Sequence, residues 1–86
     1  MKSEENIKFI RENIDELDRE IIVLIAQRLL QCSFLSHEKK KLNMKIVDNE
    51  VANKRKNHFQ NVIGKEKGEI LYNAIHQISV KIQEES

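Results

Sequence analysis

The chain has 86 residues, one small domain's worth, with 40% hydrophobic and 34% charged residues, no proline and two glycines; that balance excludes a collagenous or low-complexity chain and favours a simple all-helical protein. A formal net charge of +1 argues against a general nucleic-acid binder. A single cysteine, Cys32, excludes an intramolecular disulfide.

The first helix is expected from about Ser3, as N-cap, to about Lys41. Glu4 and Glu5 suit its start and Lys39, Lys40 and Lys41 its end, with Asn43 able to take the left-handed conformation just beyond. Ile7, Ile10, Ile14, Leu17, Ile21 and Leu24 recur at alternating spacings of three and four, the pattern of a helix facing other helices. Arg28 and Gln31 then interrupt this seam before Leu35 resumes it. A charge at such a position normally implies a partner, because burying it alone costs several kcal/mol. Lys39, eleven residues after Arg28, returns to nearly the same face, roughly 16 Å away along the helix. A cavity with cations at both ends suits a small dianion. A helix of nearly forty residues, roughly 57 Å long, exceeds the core of any 86-residue globule, so a dimer is expected.

Asp48 is a good N-cap for a second helix from about Asn49 to Ile63, carrying Val51, Phe59, Val62 and Ile63 as a weak apolar stripe. Gly64 and Gly68 are expected to bracket the turn into a third helix, from about Lys67 to Glu84. Its buried stripe is expected at Leu71, Ala74, Ile75, Ile78 and Ile82. Ser79 and Gln83, four residues apart, share one face and, taken alone, read as partly exposed helix residues.

His37, His58 and His76 have no i,i+4 pairing and read as solvated surface residues; no metal site is expected. Cys32 reads as a small buried hydrophobe. No glycine-rich phosphate loop and no nucleophile elbow is present, so covalent catalysis is unsupported. The opening MKSEEN has no apolar core, and the apolar run over residues 21–26 is too short to span a membrane. The expectation is a single cytoplasmic domain over residues 1–86, without membrane or nucleic-acid partners.

Read together, these positions resemble the all-helical chorismate mutase family along essentially the whole chain. The stretch IRENIDELDREIIVLIAQRLL, residues 10–30, is similar to that family's opening helix: an arginine, an LD pair, then an apolar run ending in an arginine. KIVDNE supplies Asp48 at the start of the second helix, and ISVKIQ supplies the Ser-x-x-x-Gln of the last, Ser79 and Gln83. The resemblance implies a three-helix protomer with one very long helix, in an intertwined homodimer. It implies that Arg28 binds a substrate carboxylate within its own subunit and that Arg11 reaches into the partner's site. Lys39 and Gln83 would be the catalytic donors to the substrate's ether oxygen, with Asp48 and Ser79 as further binding residues. The reaction implied, chorismate to prephenate, is a pericyclic rearrangement without cofactor or metal, in aromatic amino acid biosynthesis.

Two positions depart from the pattern. Where the family usually carries an arginine and a glutamate, the glutamate receiving the substrate's ring hydroxyl, this chain has Val51 and Ala52. The departure makes an isochorismate pyruvate lyase worth carrying as an alternative; a mutase for 4-amino-4-deoxychorismate, whose ring ammonium would want a carboxylate near Ala52, ranks lower, and a non-catalytic helical dimer is the alternative of another class.

Overall fold

The computed structural model describes residues 2–85, and among them there are three α-helices: α1 over Lys2–Lys41, α2 over Asn49–Ile63 and α3 over Lys65–Glu85. The fold is all-α, and the first helix has the expected extraordinary length. It begins one residue before Ser3, which therefore lies inside the first turn and not at its cap; Glu4 and Glu5 complement the helix dipole there.

α1 ends as expected. Asn43 adopts φ 55°, and the amides of Asn43 and Met44 bond back to the carbonyls of Lys40 and Lys39 at 3.3 and 2.9 Å. This pair of bonds is a Schellman closure, which satisfies carbonyls that the helix end would otherwise orphan. The six residues that follow bring the chain to Asp48, whose extended backbone and carboxylate cap α2.

α2 and α3 form an antiparallel hairpin joined by Gly64 alone. Its φ of 106° reverses the chain in one residue, so α3 starts two residues earlier than the sequence suggests. Gly68 is not part of the turn. It lies within α3, buried, where a Cβ would come within 2.5 Å of the Gln60 backbone and 2.7 Å of the Phe59 carbonyl carbon. The two helix backbones touch there because no side chain separates them. Gly68→Ala is therefore expected to destabilise the fold by about 1–3 kcal/mol or more, since backbone has to move to admit the methyl group. Thermal unfolding followed by circular dichroism measures it, and an unchanged midpoint would show that the hairpin can spread freely. Beyond the glycine, Phe59 packs edge-on against Tyr72, their ring centres 5.4 Å apart.

α1 meets the hairpin only over its second half, along Arg28, Cys32, Ser36 and Lys39, and mainly through α3. Ser36 is fully buried, and its hydroxyl donates to the Gln83 carbonyl at 3.1 Å. The expected buried stripe of α3 is corrected by this arrangement. The face turned inward carries Gly68, Tyr72, Ser79 and Gln83; of the expected stripe Ile75 and Ile82 are half-buried, while Leu71, Ala74 and Ile78 stay exposed. Ser79 and Gln83 are accordingly buried and not partly exposed. The apolar seam of α1 is also bare: Ile7, Ile10, Ile14, Leu17, Ile21 and Leu24 are each about half exposed or more. The only buried hydrophobic residues are Cys32 and Tyr72 among those described.

The protomer is thus long and poorly filled, 62 × 25 × 14 Å. Its surface of 7365 Å² compares with about 5300 Å² for a compact monomer of 10.2 kDa. Its radius of gyration is 17.0 Å, against about 12 Å for a compact chain of this length. No helix among the described residues is long and apolar enough to cross a membrane.

Candidate active site

The inner faces of the three helices line a partly open cavity of about 580 Å³ at the end of the molecule where α1 meets the hairpin. α1 contributes Arg28, Cys32 and Lys39, spaced so that one face of the helix lines the whole wall. α3 contributes His76, Ser79 and Gln83 at intervals of three and four, again one face. The segment from Met44 to Asp48 and the first turns of α2 close the remaining side.

Arg28 is half-buried, and its guanidinium donates from Nη1 to the Ser79 hydroxyl, with a longer contact of 3.9 Å to the Cys32 sulfur. The Ser79 hydroxyl donates a hydrogen bond to the Ile75 carbonyl at 2.8 Å, which leaves its oxygen free to accept from the arginine. Among the described residues no carboxylate lies within 4 Å of Arg28. The break in the α1 seam is therefore not explained by an internal ion pair. Arg28 is a half-buried cation in the cavity lining whose partners among the described residues are neutral, an arrangement that suits it to an anion.

Lys39 stands at the other end. Its ammonium donates to the Ile46 carbonyl at 2.7 Å, which ties the α1–α2 connection over the cavity and leaves two protons for a ligand. Gln83, 6% exposed, donates from Nε2 to the Ser79 carbonyl at 3.4 Å. Its Oε1 is the one buried side-chain polar atom without a hydrogen-bond partner among the described residues. Such orphans are rare, and one in a cavity wall marks a group that a bound molecule can satisfy.

Asp48 lines the cavity, but its carboxylate is occupied as a cap, accepting from the Glu50 and Val51 amides at 3.0 and 3.3 Å. The cavity's other charged groups are Arg28, Lys39, Lys45 and Arg55. Four cations against one carboxylate leave the lining at +3 with His76 neutral, a field that concentrates small anions. Val51 and Ala52 line the wall as well, so the apolar departure noted in the sequence does fall inside the cavity.

Of the six residues singled out, the fold brings Arg28, Lys39, Asp48, Ser79 and Gln83 together. Arg11 is exposed on α1, seventeen residues before Arg28 and about 25 Å away along the helix, and is not part of this protomer's cavity. Sequence reasoning missed Ser36, Tyr72 and His76. His76 is half-buried against Tyr72 and not a solvated surface residue, whereas His37 and His58 are exposed as expected. Helical spacing offered a signal: Ser36 lies eight residues from Arg28 on one face, and His76 three from Ser79. Among the described residues no group of three or more His, Cys, Asp or Glu is placed to hold a metal ion.

No curated protein and no solved structure matches the chain significantly. The family model described as chorismate mutase type II, however, matches residues 10–84, a span that contains all three helices' cavity-lining positions and all six residues discussed. On that match the chain belongs to the type II chorismate mutase family.

Proposed function

We propose that the protein is a chorismate mutase, converting chorismate to prephenate within the cavity between α1, α2 and α3. The observation that carries this reading is the placement of Arg28 and Lys39 at opposite ends of one cationic cavity, with no internal carboxylate on Arg28. The substrate is a dianion with two carboxylates. Arg28 holds one of them by charge-assisted hydrogen bonds, taking the place in which it now meets the Ser79 hydroxyl. Confining the extended dianion to a compact conformer removes much of the entropic barrier. In the rearrangement the ether C–O bond breaks while a C–C bond forms, and negative charge gathers on the ether oxygen. Lys39 and the Gln83 amide stabilise that charge. Gln83 Nε2 carries two protons and spends one on the Ser79 carbonyl at 3.4 Å, leaving the other for the ether oxygen.

The working form is a homodimer in which the bare seam of α1 packs against a second copy and the partner's Arg11 completes the site. Support comes from the 40-residue helix, the exposed row from Ile7 to Leu24, and the excess surface. Sedimentation or light scattering is expected to give twice the protomer mass at micromolar concentration, and Leu17→Lys to dissociate or unfold the protein. A stable, well-folded monomer would remove both the dimer and the role of Arg11 in trans.

One observation favours a second reading, cleavage of isochorismate to pyruvate and a hydroxybenzoate: Val51 and Ala52 present no carboxylate to a ring hydroxyl. Incubating the purified protein separately with chorismate and isochorismate, and identifying the products by chromatography, tests both. Prephenate from chorismate is the expected result. Inertness toward chorismate with release of pyruvate from isochorismate would replace the mutase by the lyase, and inertness toward both would leave a non-catalytic dimer.

A further inference from the structure

The cavity wall holds one polar pair that the proposed chemistry does not use. Tyr72 is 2% exposed, its ring stacks on the His76 imidazole at 5.4 Å, and its hydroxyl lies 3.2 Å from His76 Nδ1. No other hydrogen-bond partner of that hydroxyl exists among the described residues. A buried O–H without an acceptor is costly, so the tyrosine donates and Nδ1 accepts. The neutral imidazole then carries its proton on Nε2. With Nδ1 tied to Tyr72, Nε2–H is the edge left for the cavity that His76 lines, and no described residue accepts from it.

The surroundings fix what such a donor can serve. His76 stands one turn before Ser79 on the same face of α3, and Ser79 is the residue that meets Arg28. On α2, the Phe59–Tyr72 contact sets the antiparallel register. That register brings Arg55, four residues before Phe59, level with His76, four residues after Tyr72; both line the cavity. The charged and titratable groups that line the cavity with His76 are Arg28, Cys32 and Lys39 from α1, Lys45 and Asp48 from the connection, Arg55 from α2 and Tyr72 from α3, and the one carboxylate in that set is spent as the cap of α2. An N–H donor in that company fits an anionic oxygen.

We propose that His76 is a substrate-binding residue whose Nε2–H donates to the carboxylate held by Arg28, with Tyr72 as the positioning residue that fixes its tautomer and ring angle. The inference rests on the reading of the cavity as a site for a dicarboxylate dianion.

The test compares the unaltered protein with His76→Leu, His76→Gln and Tyr72→Phe, measuring chorismate turnover and, by calorimetry, chorismate binding. His76→Leu is expected to raise KM and Kd about tenfold or more, with kcat changed by less than about threefold. His76→Gln, whose amide N–H can take the place of Nε2–H, is expected to recover most of the affinity. Tyr72→Phe keeps the ring packing and is expected to weaken binding about threefold, by releasing the tautomer. Unchanged KM and Kd in His76→Leu, with the unaltered protein active, overturn the role of His76 and leave the mutase reading standing. If the unaltered protein binds chorismate without rearranging it, the mutase reading falls, and the Kd values of the variants still decide the role of His76. Absence of chorismate binding overturns both. Should the leucine variant fail to fold, Tyr72→Phe decides, and an unchanged Kd there overturns the proposal.

Discussion

Replacing Arg28 by alanine is expected to reduce kcat/KM for chorismate at least about a hundredfold while leaving the thermal midpoint unchanged or higher. The loss follows from removing the cation proposed to hold a carboxylate, a charge-assisted interaction whose truncation costs about 2–5 kcal/mol in buried sites. The gain in stability follows from the unliganded protein. Arg28 is half-buried with no carboxylate beside it among the described residues, so its removal relieves a partly desolvated charge. Its present partners lose little: Ser79 keeps its bond to the Ile75 carbonyl, and the contact to Cys32 is a weak one at 3.9 Å. Steady-state kinetics together with a melting curve make the check. Unchanged kinetics would make the interruption of the α1 seam a structural feature, and a large drop in melting temperature would mean that Arg28 holds α1 to α3.

Lys39→Ala and Gln83→Ala are each expected to lower kcat about 10²–10³-fold with KM far less changed. Both are proposed to donate to charge that develops only as the ether bond breaks, so their removal is expected to raise the transition state more than the bound state. Lys39 also tethers the Ile46 carbonyl, so its alanine variant is expected to loosen the α1–α2 connection at a cost of about 1 kcal/mol. A rise in KM with kcat intact would assign Lys39 to carboxylate binding. For Gln83 a second variant separates donation from packing. Gln83→Glu keeps the shape but donates only when its carboxyl is protonated, so its activity is expected to appear at acidic pH and vanish as pH rises. Full activity of that variant at pH 8 would remove Gln83 as a donor.

The positions in these predictions were legible because helices convert spacing into direction. Arg28 and Lys39 lie eleven residues apart, and Ser79 and Gln83 four, intervals that return to one helix face whatever the tertiary context. Asp48 and Asn43 were legible for a similarly local reason, since caps are decided by side-chain and backbone chemistry within a few residues. Ser3 was not, because Lys2 already continues the helix ahead of it, with Glu4 and Glu5 favouring the first turn.

The sequence by itself determined three helices, the unusual length of the first, and a row of polar residues that packing alone does not call for. It did not determine which face of α3 turns inward. The apolar stripe of Leu71, Ala74, Ile75, Ile78 and Ile82 predicted one face; the chain buries another, with Tyr72, Ser79 and Gln83, and leaves Ile75 and Ile82 half-buried at its edge. The physical reason lies at Gly68, which admits the α2 backbone at a distance no other residue allows and so fixes the rotation of α3 against α2. That rotation aims Ser79 and Gln83 at Arg28 and Ser36, gives His76 its place beside Tyr72, and leaves Leu71, Ala74 and Ile78 facing outward. Periodicity reports that a helix has a hydrophobic side; only close contact between backbones decided what that side would meet.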